Sequence, residues 1–224
     1  MKKLLITGIS SDISKSIVNI FKDEYEIIGI YHTTLDLNID NIDLYKCDVT
    51  DEEEVKELVN LLKEKYGTID VLINAHSKES DEYILDKTAD SFNEVLSTII
   101  TGTFLMMKYS IKYLNVSYIV NISSTDSIDT YNEYNIDYSV SKSGLNMMTK
   151  IFSETFPSIN FKLILLNYVN TYTTRLMNPE YLKSELNRIG QKELIKPDFI
   201  ADKLKNIINS NNNNNLIVRI DNND

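Results

Sequence analysis

Two kinds of apolar pattern alternate along most of the chain, and that alternation limits the fold more than any other feature. Short β-branched and aromatic runs at Lys3 to Thr7, Glu26 to Tyr31, Leu44 to Cys47, Val71 to Asn74, Tyr118 to Ile122, Phe161 to Asn167 and Leu216 to Ile220 predict strands. Between them, Ser11 to Phe21, Glu52 to Tyr66, Ser91 to Leu114, Ser139 to Phe156 and Pro197 to Ile208 carry apolar residues at three- and four-residue spacing. In Glu52 to Tyr66, for example, Val55, Leu58, Val59, Leu62 and Tyr66 form one stripe, and Glu and Lys occupy the other face. Strands joined by helices return to the same end of a sheet and run parallel, buried on both faces. The expected class is α/β, a three-layer, doubly wound parallel sheet of about seven strands, with ligands at the carboxyl ends of the strands.

At 224 residues the chain fits one such domain spanning 1–224 better than two. No apolar run approaches the length of a membrane span, and Met1-Lys2-Lys3 leads into too short an apolar stretch for a signal peptide. A formal charge of −10 repels a phosphate backbone, so no nucleic-acid partner is expected. Cys47 is the only cysteine, and with two histidines, His32 and His76, it cannot build a multi-cysteine or zinc cluster, so no metal is expected. A cytoplasmic setting follows. The run Asn211 to Asn215, within a loop at 209–215, reads as a turn.

Two segments carry chemistry. Thr7-Gly8-Ile9-Ser10-Ser11-Asp12-Ile13-Ser14 joins the first strand to a helix, where a glycine allows a tight turn and the first helical amides can hold a pyrophosphate; an ordinary turn capped by Ser10 or Ser11 has the same pattern. Tyr138 and Lys142 stand at i and i+4 on one helix face. An ammonium beside a phenol favours the phenolate, which lowers the tyrosine pKa and suits it to protonate a developing alkoxide. Ser124, ending a strand, is placed to hydrogen-bond the same oxygen.

Taken in order, Lys46-Cys47-Asp48-Val49-Thr50, Tyr66-Gly67-Thr68-Ile69-Asp70-Val71-Leu72-Ile73-Asn74-Ala75, Ile119-Val120-Asn121-Ile122-Ser123-Ser124 and Tyr138-Ser139-Val140-Ser141-Lys142-Ser143-Gly144 resemble the short-chain dehydrogenase/reductase family, in particular its single-domain 3-oxoacyl-carrier-protein reductases. The resemblance runs from Lys3 to about Ile208 and implies a Rossmann fold and an NAD(P)-dependent oxidoreductase. It implies catalytic roles for Ser124, Tyr138 and Lys142, with cofactor contacts from Gly8, Ser10, Ser11, Asp12, Ile13, Asp48, Val49, Asn74, Ala75, Tyr138, Lys142, Thr171 and Thr173. Read without the resemblance, Asp48 also passes as a cap for the helix at Glu52, and Asn74 as a strand-ending turn residue. The second strand ends in Tyr31-His32-Thr33-Thr34 with no acidic residue to grip an adenosine hydroxyl, and His32 and Thr33 can donate to a phosphate there, so NADP is expected in preference to NAD. A small-molecule carbonyl or alcohol substrate, a lid at 174–196 and a homodimer or homotetramer through the helices Ser91 to Leu114 and Ser139 to Phe156 are further implications.

The chain departs from the family in several places. Asp12 and Ser14 stand where the phosphate loop usually has glycines, Tyr168-Val169 where Pro-Gly is usual, and Ile99 where a catalytic asparagine bends its helix. The β-branched Ile99 predicts a regular helix, and with it a slow enzyme that Ile99→Asn accelerates. A catalytically weak nucleotide-binding relative and a sugar-modifying oxidoreductase therefore stand beside the main reading. His76, one residue past Asn74-Ala75, is either a border of the cleft or a structural histidine.

Overall fold

Strand β1 (Lys2–Thr7) sets the pattern of the core: Leu4 and Ile6 point to one face, Leu5 to the other, and all three are fully buried. The computed structural model describes residues 1–33, 42–210 and 215–221. Along the chain follow α1 (Asp12–Phe21), β2 (Tyr25–Tyr31), β3 (Asp43–Lys46), α2 (Glu52–Tyr66), β4 (Val71–Asn74), α3 (Ala89–Leu96) and α4 (Gly102–Tyr113). Next come β5 (Tyr118–Ser124), α5 (Ile136–Thr155), β6 (Asn160–Leu166), α6 (Tyr172–Leu176), α7 (Pro179–Arg188), α8 (Pro197–Asn209) and β7 (Ile217–Ile220). The seven strands form one parallel sheet in the order β3-β2-β1-β4-β5-β6-β7, as the alternation of patterns requires.

Helices cover both faces. Ile17, Val18 and Phe21 of α1 and Ile200, Ala201 and Leu204 of α8 close one side, while the stripe of α2 packs with Leu105, Met106 and Met107 of α4 on the other. A third cluster joins Val95 and Ile99 to Leu145 of α5 and to Leu163 and Leu165 of β6. The chain moves outward from β1 to β2 and β3 and then returns through α2 to β4 on the other side of β1, so a crevice opens between the ends of β1 and β4.

The helix expected across Ser91 to Leu114 is not continuous. Ser97–Thr101 forms a π-turn between α3 and α4, and Ile99 lies inside it, so the expectation of a regular helix at this residue is corrected. The cause is packing at its two ends. Ile99 must enter the cluster with Leu145 and Leu163, while Gly102 is pressed so closely to Val49 and His76 that an added Cβ would lie 2.7 Å from the Val49 Cγ2 and 3.0 Å from the His76 Nε2. One extra residue in the turn lets both contacts form. Regular structure also appears where none was expected, as α6 and α7 within 172–188. Most of the asparagine run, 211–214, lies outside the described residues.

Gly8 has φ of +65°, and a Cβ built on it would stand 2.7 Å from His76 Cα and 2.8 Å from His76 N. Gly8→Ala is expected to cost about 2–4 kcal/mol, from left-handed strain plus a clash with backbone that cannot swing aside. Urea denaturation measures it; a midpoint equal to that of the parent would refute this packing account.

Candidate active site

Two cavities of about 790 and 840 Å³ meet along Ser10, Ser11, Ala75, Ser77, Glu79 and Thr173, forming one cleft over the carboxyl ends of the strands. At one end, β5 delivers three consecutive hydroxyls with different fates. Ser123 Oγ donates to Asn146 Oδ1 (2.8 Å), and Thr125 Oγ1 donates to the Asn167 side chain. Ser124 Oγ accepts from Asp126 N (3.2 Å), starting a tight turn over Thr125–Ser127, and its hydroxyl also hydrogen-bonds Tyr138 in the sense that favours the phenolate. Of the three, Ser124 is therefore the hydroxyl that meets Tyr138.

Tyr138 lies in the first turn of α5, held by the residue before it. Asp137 Oδ1 accepts from Tyr138 N (2.9 Å), and Asp137 Oδ2 accepts from Lys87 Nζ (2.7 Å), which also donates to Ser80 O (2.7 Å). The Lys87 and Asp137 side chains are 3% and 0% exposed, so the pair clamps α5 to the segment after β4 from inside the protein. One helical turn on, Lys142 Nζ donates to Ile122 O (2.9 Å) and sits 5.3 Å from the centre of the Tyr138 ring. Burial brings Lys142 down to about 8. Burial, and then the Glu79 and Asp126 carboxylates, hold the Tyr138 phenol well above its usual value. The expected lowering of the tyrosine pKa by Lys142 is thus corrected: the ammonium is directed to a carbonyl, its own charged form is disfavoured by burial, and two carboxylates act the other way.

Toward the other end, the β1–α1 turn supplies Gly8, Ser10, Ser11, Asp12 and Ile13 to the walls, with Ser11 capping α1 through Ser14 N (3.1 Å). Asp12 does not stand bare beside this turn. Its Oδ2 pairs with Arg175 Nη2 (3.0 Å) and accepts from Tyr172 N (2.5 Å), tying the phosphate-loop position to α6. His32 and Thr33 border the cleft beyond β2, with His32 Nε2 3.6 Å from Asp48 Oδ2. Asp48 Oδ1 accepts from Thr50 N and Oγ1, whereas the cap of α2 is Asp51. Val49 and Ala75 line the walls. Asn74 does not. Its side chain turns into the sheet and donates to Asn121 Oδ1 (2.8 Å).

Thr171 caps α6, and Thr173 lies on both cavities. Tyr168-Val169 keeps a defined path without Pro-Gly: Gln191 accepts from Tyr168 N (3.0 Å) and donates to Tyr168 O (2.7 Å), while Val169 bridges to Ile195.

Several wall residues escaped the sequence reading. Asp126, two residues past Ser124, had its position as a signal; Glu79, within a polar run, had none. His76 proves to be both of its alternatives, lining the cleft and knitting its floor. Ala75 N donates to Thr7 Oγ1 (3.1 Å), Thr7 Oγ1 pairs with His76 Nδ1 (2.6 Å), and the ring bonds the Thr98 backbone in the π-turn. Ile99 is 1% exposed among Val95, Leu145, Leu163 and Leu165 and reaches neither cavity. The π-turn forms without an amide at this position, and an asparagine would place one among apolar groups.

A crevice at the switch point of a doubly wound sheet, with a helix N-terminus at one end and a half-buried Tyr138 beside a buried Lys142 at the other, defines a nucleotide-binding type of α/β protein. Residues 33–204 match the family model described as enoyl-(acyl carrier protein) reductase. The chain is 28% identical over 216 residues to the 3-oxoacyl-[acyl-carrier-protein] reductase FabG of Thermotoga maritima, covering 89% of this chain and 87% of the relative. It is 26% identical over 222 residues to glucose 1-dehydrogenase 2 of Bacillus subtilis, covering 89% and 84%. A structure of ElxO with NADP bound superposes with a TM-score of 0.80 at 26% identity, covering 98% of this chain and 97% of that one. The chain belongs to the short-chain dehydrogenase/reductase family and is a family oxidoreductase with a Rossmann fold. Among the described residues no helix is long and apolar enough to cross a membrane.

Burial, reinforced by Lys142, holds His76 down to about 4, against an ordinary value of 6.5. Between these values the unfolded chain binds a proton that the folded one refuses, so stability falls as pH drops from about 6.5 toward 4. His76→Gln is expected to give a shallower slope of urea midpoint against pH over that window; an unchanged slope would show that this ring is not the source.

Proposed function

We propose that the chain acts as one domain that reduces a small carbonyl compound to an alcohol, using NADPH in preference to NADH. The observation that carries this reading is the convergence of Ser124, Tyr138 and Lys142 at one end of a continuous cleft whose other end is the amino terminus of α1. The donor set fits a dinucleotide: the first amides of α1 with Ser10 and Ser11 suit a pyrophosphate, Ala75 a ribose, Asp48 and Val49 an adenine, and Thr171 and Thr173 a carboxamide. Asp12, neutralised by Arg175, does not oppose it. When bound, the nicotinamide supplies the hydride that no side chain can.

The protein's own part is proton chemistry. As hydride reaches the carbonyl carbon, Tyr138 Oη gives its proton to the oxygen, yielding the alcohol, and Ser124 steadies the developing charge. A phenol held above its usual pKa stays protonated at neutral pH, which suits an acid in reduction better than a base in alcohol oxidation. Lys142, brought down to about 8, can return a proton to the phenolate at neutral pH. We place the work in the cytoplasm, in a homodimer or homotetramer formed through the outer faces of α4 and α5, where Phe104, Val140, Met147 and Ile151 are exposed.

Tyr138→Phe is expected to abolish turnover while leaving NADPH affinity within about twofold, since it removes the proton donor and little contact area; Lys142→Ala harms both. Turnover at the parent rate in Tyr138→Phe would end the assignment. His32 and Thr33, which border the cleft at the end of β2 and can donate to a phosphate, support the NADPH preference. Fluorescence titration should find NADPH binding more tightly than NADH, and NADH tenfold tighter would refute it.

A further inference from the structure

Helix α5, which carries Tyr138 and Lys142, begins without the usual cap. Asn135, the residue before it, gives no side-chain bond to the first turn, and the helical ladder starts at Ser139 N, which donates to Asn135 O (2.9 Å). The Tyr138 amide stands ahead of that ladder, and Asp137 Oδ1 accepts from it (2.9 Å). This acceptor is not free to drift. The other oxygen of the same carboxylate takes Lys87 Nζ (2.7 Å), which spends a second donor on Ser80 O (2.7 Å). Lys87 is held in turn by its own amide, which donates to Tyr83 O (3.1 Å), and by its neighbour Thr88, which caps α3 through Ser91 N (3.1 Å). The same segment meets the approach to α5 a second time, where Ile84 N donates to Glu133 O (3.0 Å) and the Tyr83 and Tyr134 rings lie 5.7 Å apart.

Packing alone does not call for charge at this place. The Lys87 and Asp137 side chains are almost wholly buried, and an apolar pair of similar volume fills such a space at equal or better stability. What an apolar pair lacks is direction. Ser80 O, Lys87 Nζ, the Asp137 carboxylate and Tyr138 N form one continuous run of hydrogen bonds, which joins the first turn of α5 to the segment that brings Ser77 and Glu79 to the cleft wall. Tyr138 ends that run and lines the same cavity as Ser124. Resting on the oxidoreductase reading of the cleft, we propose that Lys87 and Asp137 are positioning residues for proton transfer: acting through the Tyr138 amide, they set where the phenol stands, so that turnover depends on them while cofactor and substrate binding do not.

The test separates direction from packing in the full-length protein. In Lys87→Met/Asp137→Leu an apolar pair fills the site, and urea denaturation is expected to find a midpoint close to that of the parent. Steady-state kinetics on one accepted carbonyl should nevertheless give kcat lower by at least about tenfold, with KM and the NADPH dissociation constant within about twofold, because a proton donor displaced by roughly 1 Å loses rate and not affinity. Asp137→Asn keeps the shape of the side chain, but either orientation of its amide sets a donor against Lys87 Nζ or Tyr138 N; it should lose kcat severalfold with KM unchanged, and it serves if the double variant fails to fold. Position is read without turnover from the ring-carbon resonance of Tyr138 in tyrosine-labelled protein, assigned through Tyr138→Phe, which should move in both variants. Parent kcat in either folded variant, an unmoved resonance, a loss of NADPH affinity equal to the loss of kcat, or failure of both variants to fold overturns the proposal. A moved resonance in a protein whose parent reduces no carbonyl would support the positioning and defeat the oxidoreductase reading, which keeps the two failures apart.

Discussion

The close approach of two backbones at the switch point underlies the rest of the architecture. β1 ends at Gly8, whose left-handed turn sets it against the main chain of Ala75 and His76 beyond β4, with no room for a side chain between them. Because these strand ends touch, the turn that starts α1 and the turn that leaves β4 share one cleft wall instead of standing apart. Thr7 reinforces the contact, accepting from Ala75 N and hydrogen-bonding the His76 ring, which reaches the π-turn at Thr98. A floor built from backbone and short polar side chains holds its shape with little dependence on any bulky residue.

Burial dominates the electrostatics of the site. Lys142 and Tyr138 are both displaced toward their neutral forms, and Lys87 with Asp137 is a charged pair almost wholly removed from water. Removing one partner of such a pair strands the other, at a cost of about 3–5 kcal/mol, whereas the intact pair need add little net stability. Its value here is geometric. It fixes the first turn of α5 to the segment at Ser80, so the tyrosine and the wall that carries Glu79 move together.

The architecture was legible because strands buried on both faces read as plain apolar runs, and all seven emerge within a few residues of the expected ranges. Ser124, Tyr138 and Lys142 were legible as a set because strand ends and one helical turn bring them together in any sheet of this kind. Less visible was anything decided by contacts between remote segments. The Tyr138 shift is set first by burial and then by Glu79 and Asp126, none of which sequence spacing shows. The pairing of the Asn74 amide with Asn121 on the neighbouring strand is likewise a contact that position in the chain does not show. The periodicity of Ser91 to Leu114 carries no mark of the extra residue, since either phase supplies an apolar face.

That extra residue lets one uninterrupted stretch of helical chain serve two different neighbours. Upstream of it, Val95 and Ile99 are phased toward α5 and β6; downstream, Leu105, Met106 and Tyr109 are phased toward the α2 layer. A π-turn advances the sequence by one residue without advancing the helix, which shifts the angular register by roughly 100°. Ser97–Thr101 therefore works as a phase converter between the half of the helix that packs toward Tyr138 and the half that packs with α2.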